Sequence, residues 1–174
     1  MDDELLDLVD EKDEIIGTLY RSEYHRIIDE QLGYIRAVDL FLVNSRGEVF
    51  VPTRTAHKTI APSGYDYSVG GHVSLGEDYL TSLVREAEEE LNVKIDQKSL
   101  IFIEKNVFDD IRYIISLYAM KFDETPNINP DDFTHAEWKT PAKLISEIDD
   151  GHPAKSSLRH SSNVLLQFLE SKSL

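Results

Sequence analysis

Between Glu77 and Leu91 the apolar residues Leu80, Leu83, Val84, Ala87 and Leu91 recur at spacings of three and four, which stacks them on one face of a helix. A stripe of that kind must be buried against another element, and its neighbours in sequence read as strands. Residues 38–43 and 48–51 are strand-like runs separated by Asn44, Ser45, Arg46 and Gly47, with Pro52 expected to end the second. Residues 100–103 and the strongly apolar stretch 113–122 are strands on the far side, the latter central. Ser74 and Glu77 have capping-box spacing ahead of the helix, and Asn92 is placed to close it in a left-handed conformation. Strands and helices are therefore mixed around one central helix.

The rest of the chain completes this pattern. Residues 5–20 read as an opening hairpin turning at Asp10, Glu11, Lys12 and Asp13. Residues 53–76 contain Pro62, Gly64, Gly70, Gly71 and Gly76, and are expected to form a loop crossed by one short strand at 67–69. Two helices are expected at 141–148 and 157–169. No repeat or low-complexity linker interrupts the chain, and 174 residues with 41% hydrophobic content suit one domain spanning residues 1–174.

Composition narrows the function classes. No apolar run reaches the roughly 18 residues of a membrane span, and the start Met1, Asp2, Asp3, Glu4 is acidic where an export signal would be basic, so a cytoplasmic protein is expected. Zero cysteines exclude disulfides, thiolate metal sites and cysteine nucleophiles. A net charge of -15 disfavours nucleic acid polymers and anionic membranes as partners, but it admits a small phosphorylated substrate where a divalent cation reverses the local field.

On the helix, Glu86, Glu89 and Glu90 fall within an arc of roughly 100° beside the apolar stripe. Like charges at these spacings repel. They are either a solvated acidic face or a set of hard oxygen donors suited to Mg²⁺ or Mn²⁺. Residues 71–93, GHVSLGEDYLTSLVREAEEELNV, closely resemble the Nudix box, GX5EX7REUXEEXGU with U a bulky aliphatic residue. Gly71, Glu77, Arg85, Glu86, Glu89, Glu90 and Val93 match its fixed positions, Ala87 takes the first U, and Asn92 replaces the final glycine.

That resemblance implies an alpha-beta-alpha sandwich with a mixed central sheet, and a hydrolase that cleaves diphosphate linkages with Mg²⁺ or Mn²⁺. It assigns Glu86, Glu89 and Glu90 as metal ligands together with the carbonyl of Gly70, Arg85 and Glu77 as an orienting pair, and Glu86 or Glu89 as the general base. A further carboxylate from outside the box is expected from Asp132 or Glu137. Arg54 and Lys58, in the loop leading to the box, are the residues expected to steer substrate phosphate, with solvated side chains as the alternative. Tyr65, Tyr67 and Phe133 are candidates either for stacking on a base or for the core, and the six histidines show no metal-ligand spacing.

The stretches LDLVDEKDEIIGTLYR and RAVDLFLVNSRGEVFVPTR resemble the Nudix proteins related to isopentenyl diphosphate isomerase. Those isomerases use an active-site cysteine and carry a degenerate box, so hydrolysis is favoured here over isomerisation. A non-catalytic nucleotide-binding module is the third possibility, and it would not need Arg85 and all three helix glutamates. Nucleoside di- or triphosphates lead the expected substrates. Oligomeric state and base preference are left open by the sequence.

Overall fold

The computed structural model describes residues 3–171, so Met1 and Asp2 of the acidic start lie outside the described residues. The opening hairpin is present as β1 (Leu5–Val9) and β2 (Ile15–Tyr20), followed by a short helix the sequence did not reveal, α1 (Tyr24–Glu30). The central strand β3 (Tyr34–Val43) starts earlier than expected and is followed by β4 (Val49–Arg54), β5 (Val69–His72) and α2 (Tyr79–Leu91). Then come β6 (Ile101–Phe108), β7 (Tyr113–Lys121), β8 (Phe133–Lys139), α3 (Pro141–Asp149) and α4 (Leu158–Ser171).

β3 organises the mixed sheet. One of its edges pairs in parallel with β7 from Ile35↔Tyr113 to Val43↔Lys121, and β7 continues antiparallel to β6. The other edge is shared by three antiparallel partners in turn: β1 at Tyr34 and Ile35, β5 from Ala37 to Leu40, and β4 at Val43. Beyond β4 the sheet ends in β8. Side chains alternate along β3, so Val38, Leu40 and Leu42 pack with Leu83, Ala87 and Leu91 of α2, while Phe41 and Val43 pack with Leu144 of α3 and Leu158 and Leu165 of α4. The layers are therefore helix, sheet, helices, in agreement with the expected sandwich. Leu83 and Leu91 are fully buried, and truncating either to alanine should cost about 2–5 kcal/mol.

Several local expectations are corrected. Pro52 does not end β4: its carbonyl accepts from the Asp66 N–H at 3.0 Å, on the side away from β8, and its missing N–H faces the same way, so no β4–β8 bond is lost. The strand expected at 67–69 is shifted to Val69–His72 and includes two of the glycines read as breakers. The helix begins at Tyr79, and its cap is Asp78, whose carboxylate accepts the Thr81 N–H at 2.7 Å. Ser74 and Glu77 form no capping box, because the Ser74 hydroxyl donates to Glu4 at 3.0 Å and the Glu77 N–H donates to the Ser74 carbonyl at 2.9 Å. Asn92 closes the helix as expected, at φ 53° and ψ 34°.

Candidate active site

β5 lies between β3 and α2, and its two glycines let side chains from both elements lie against its backbone. A Cβ on Gly71 would overlap the Glu86 carboxylate, and one on Gly70 would overlap Asp39 and press on the Lys155 ammonium. Their value here is close approach. The Gly70 N–H donates to Glu90 Oε2 at 3.0 Å, which holds that carboxylate against the strand. Glu86, Glu89 and Glu90, Gly70 and Gly71 all border one cavity of about 330 Å³.

Arg85 joins the carboxylates. Its guanidinium donates to Glu86 Oε1 at 2.8 Å, Glu77 Oε2 at 3.2 Å, Glu89 Oε2 at 3.4 Å, the His72 carbonyl at 3.2 Å and Ser74 Oγ at 3.2 Å. Glu77 also accepts from Ser82 Oγ at 2.5 Å. The expected Arg85–Glu77 pair is thus made, and it ties the strand-to-helix connection to the acidic face. Asn129 fixes the other end of that face, donating from its N–H to the Glu90 carbonyl at 2.7 Å and from Nδ2 to the Glu89 carbonyl at 3.3 Å.

Burial sets the protonation of this cluster. It pushes Glu86 up against the opposing pull of Arg85, with Glu89 adding repulsion. It pushes Glu90 well up, with Asp66 and Glu86 reinforcing the shift and Lys155 opposing it. Asp39, opposite Gly70 on β3, is pushed up by burial to about 7. Carboxyls crowded in a dry site call for a cation.

Among the described residues no three histidine, aspartate or glutamate side chains are gathered as a ready metal cage. Glu89 is 58% exposed at its side chain and leans on Arg85, as does Glu86. The donor set nevertheless fits Mg²⁺ or Mn²⁺ in kind: hard carboxylate oxygens, raised proton affinities that relieve on ion binding, and a strand with no Cβ where they lie.

Of the residues expected outside the motif, Asp132 borders the cavity and pairs with Lys58. Glu137 does not; it is 55% exposed and bonded to Lys139 at 2.6 Å, because its place on the edge strand β8 turns it to solvent. Arg54 and Lys58 both border the cavity, though neither is free: Arg54 pairs with Asp66 and donates to the Ile60 carbonyl at 2.7 Å. Tyr65, Tyr67 and Phe133 are core residues and none borders the cavity. Tyr24, Ile111, Tyr113 and Ile115 form its apolar wall instead, with the Tyr24 hydroxyl donating to the Ile111 carbonyl.

Sequence reasoning missed Asp39, Asp66 and Lys155. Asp39 did carry a signal, a carboxylate inside an otherwise apolar central strand. Asp66 and Lys155 sit in connections without periodicity, and only the fold brings them together, with Lys155 Nζ 2.8 Å from Asp66 Oδ1.

The NUDIX domain family matches residues 33–160 of the chain. A Nudix hydrolase of Nostoc sp. is 39% identical over 159 residues, covering 89% of this chain and 91% of its own length. A crystal structure of a Deinococcus radiodurans protein is similar throughout, with a TM-score of 0.80 and 37% identity, covering 92% of this chain and 98% of that one. An isopentenyl-diphosphate Delta-isomerase of Photorhabdus laumondii is 28% identical over 129 residues, covering 71% of this chain and 72% of its own length. The chain belongs to the Nudix family, and its class is that of the Nudix hydrolases, enzymes acting on nucleotide-like small molecules. No described helix is long and apolar enough to cross a membrane.

Proposed function

We propose that this Nudix hydrolase cleaves a diphosphate linkage in a nucleoside di- or triphosphate, using Mg²⁺ or Mn²⁺ held by Glu86, Glu89, Glu90 and the Gly70 carbonyl. The observation that carries the proposal is the composition of the cavity that all three glutamates border. It has an acidic side for ion-bound phosphates and an aromatic and aliphatic side, formed by Tyr24, Ile111, Tyr113 and Ile115, for the organic group.

A bound divalent ion supplies charge neutralisation at phosphate oxygens and a more acidic water. The chain's own residues do the rest. Arg85 and Glu77 hold the orientation of the acidic face, and Glu86 or Glu89 takes the water's proton, Glu86 being the more buried and Glu89 the more solvated of the two. Asp132 supplies the additional carboxylate, and Arg54 and Lys58 steer the phosphates. We place the protein in the cytoplasm, acting on a small phosphorylated molecule.

The test is a panel of nucleoside di- and triphosphates, nucleotide sugars and isoprenoid diphosphates with Mg²⁺ or Mn²⁺, products being separated to identify the broken bond. Metal-dependent release of phosphate or diphosphate from a nucleotide is the expected result. An inert panel with tight, metal-independent nucleotide binding would make the chain a binding module. Isomerisation is the alternative favoured by the Photorhabdus relative, and a double-bond shift in isopentenyl diphosphate would establish it.

A further inference from the structure

Four cations border the cavity: Arg21, Arg54, Lys58 and Lys155. Two have carboxylates of their own. Arg21 is 56% exposed and pairs with Glu4 at 3.4 Å, and Lys58 pairs with Asp132. Arg54 and Lys155 instead share Asp66, whose side chain is 1% exposed: Oδ2 takes the Arg54 guanidinium and Oδ1 stands 2.8 Å from Lys155 Nζ. The same Oδ1 accepts the Tyr67 N–H at 2.8 Å, so Asp66 is fully engaged. One buried carboxylate therefore serves two cations at once, and it fixes both at the border of the cavity.

The backbone holds this arrangement in place. Thr53 bridges to Tyr65 and Tyr65 to Ala154, and Arg54, Asp66 and Lys155 are the residues that follow these three. The Lys155 N–H donates to the Tyr65 carbonyl at 3.1 Å, and Gly64 lies so close to Pro153 and Ala154 that a Cβ there would not fit. Asp39 and Glu90 also face Lys155. Glu90 is one of the donors assigned above to a divalent ion, and a carboxylate so engaged offers the ammonium little, which frees Lys155 toward an anion.

We propose that Arg54 and Lys155, set by their shared partner Asp66, form an anion cradle that grips a phosphoryl group of the substrate through oxygens not bound to metal. Lys155 and Arg54 touch the substrate, and Asp66 is a positioning residue. The guanidinium N–H groups that Arg54 does not give to Asp66 and Ile60, together with the Lys155 ammonium, suit two oxygens of one tetrahedral phosphoryl group. The cradle rests on the diphosphate reading of the site, but its test does not depend on turnover.

The probes are inorganic pyrophosphate, titrated calorimetrically into the protein at saturating Mg²⁺, and Mn²⁺ alone. Lys155→Gln, which keeps a donor for Asp66, should bind pyrophosphate about tenfold or more weakly, while Lys155→Arg stays within about threefold of wild type. Mn²⁺ alone should bind Lys155→Gln as tightly as wild type or more tightly, since a positive charge beside Glu90 is gone. Arg54→Gln carries the same expectation for pyrophosphate, so failure of one variant to fold leaves the other decisive. Unchanged pyrophosphate binding in the folded variants, or equal weakening of pyrophosphate and Mn²⁺, would overturn the cradle and leave Lys155 as a counter-ion of Asp66. Pyrophosphate held by wild type, lost in the variants and accompanied by no cleavage of any nucleotide would keep the cradle and remove the nucleotide assignment. Nucleotide cleavage with unchanged pyrophosphate binding in the variants would do the reverse.

Discussion

Replacing Asp39 by asparagine should make the metal-free protein more stable at alkaline pH and change it little in acid. Asp39 is 3% exposed in the middle of β3, and burial raises its carboxyl from 3.8 to about 7, with Asp66 adding to the shift and Lys155 opposing it. An acid with a raised folded-state pKa stabilises the fold fully only below its unfolded pKa, and that contribution is lost as pH climbs to the folded value. At 1.36 kcal/mol per unit, the shift amounts to about 4 kcal/mol over the whole window from pH 4 to 7, of which about 2–3 kcal/mol falls between pH 5 and 7.5. Asparagine has the same shape and no proton to lose. Urea unfolding of both proteins in chelator at pH 5, 6, 7 and 8 should therefore show the variant's advantage growing by about 2–3 kcal/mol and then levelling off. The pull of Lys155 on the ionised carboxylate is already contained in the folded value of about 7 and adds no separate contribution. A difference that does not vary with pH would mean that Asp39 is ionised throughout, paired with Lys155, and the burial argument would fail.

Glu90→Gln keeps an oxygen for the Gly70 N–H and removes a carboxyl whose ionisation is opposed by burial and by Asp66 and Glu86. In chelator it should melt higher, by about 0.2–0.5 kcal/mol per relieved pair or more in a dry site, and it should gain less than wild type from Mg²⁺ in the same thermal melts. A less stable variant with the full metal shift would make Glu90 a structural partner of Lys155. In Gly71→Ala the added methyl would fall on Glu86 from Cγ to the carboxylate and push it off Arg85, so Mn²⁺ affinity should drop about tenfold or more by calorimetry, and an unchanged affinity would remove Glu86 from the ion site. Arg85→Lys cannot serve Glu77, Glu86 and the His72 carbonyl together, and turnover should fall at least about tenfold in the folded variant; near-normal turnover would reduce Arg85 to an ordinary ion pair.

What the sequence disclosed follows from which forces leave a periodic trace. The buried stripe of α2 and the apolar run of β7 were legible because each buries a continuous face. β8 was not, since Thr134, His135 and Glu137 point to solvent on an edge strand and break the apolar pattern. α1 is only seven residues long and buries Ile27 alone, too little for a helical period to register. β5 was misplaced because Gly70 and Gly71 are strand residues chosen for close approach rather than for turning. The acidic face on α2, with Arg85 and Glu77, was visible through fixed spacing within one element, and all of it borders or supports one cavity. Asp39, Asp66 and Lys155 come from three distant segments, and contacts of that kind leave no local mark.

The division of one edge of β3 among β1, β5 and β4 has a consequence for divergence. β5 backs the acidic face, whereas β1, with its hairpin, and α1 support the Tyr24 end of the cavity. Each partner is hydrogen-bonded to its own stretch of β3, but β1 also bridges to Ser74 and accepts the Leu75 N–H, so it is β2 and α1 that can be lengthened, trimmed or exchanged in descendants without shifting the register of Gly70 against Asp39. Selection can thus retune which organic group is admitted while the hydrolytic half is inherited unaltered, and relatives that differ in substrate should differ first in residues 15–30 and 111–115 and only rarely in residues 69–91.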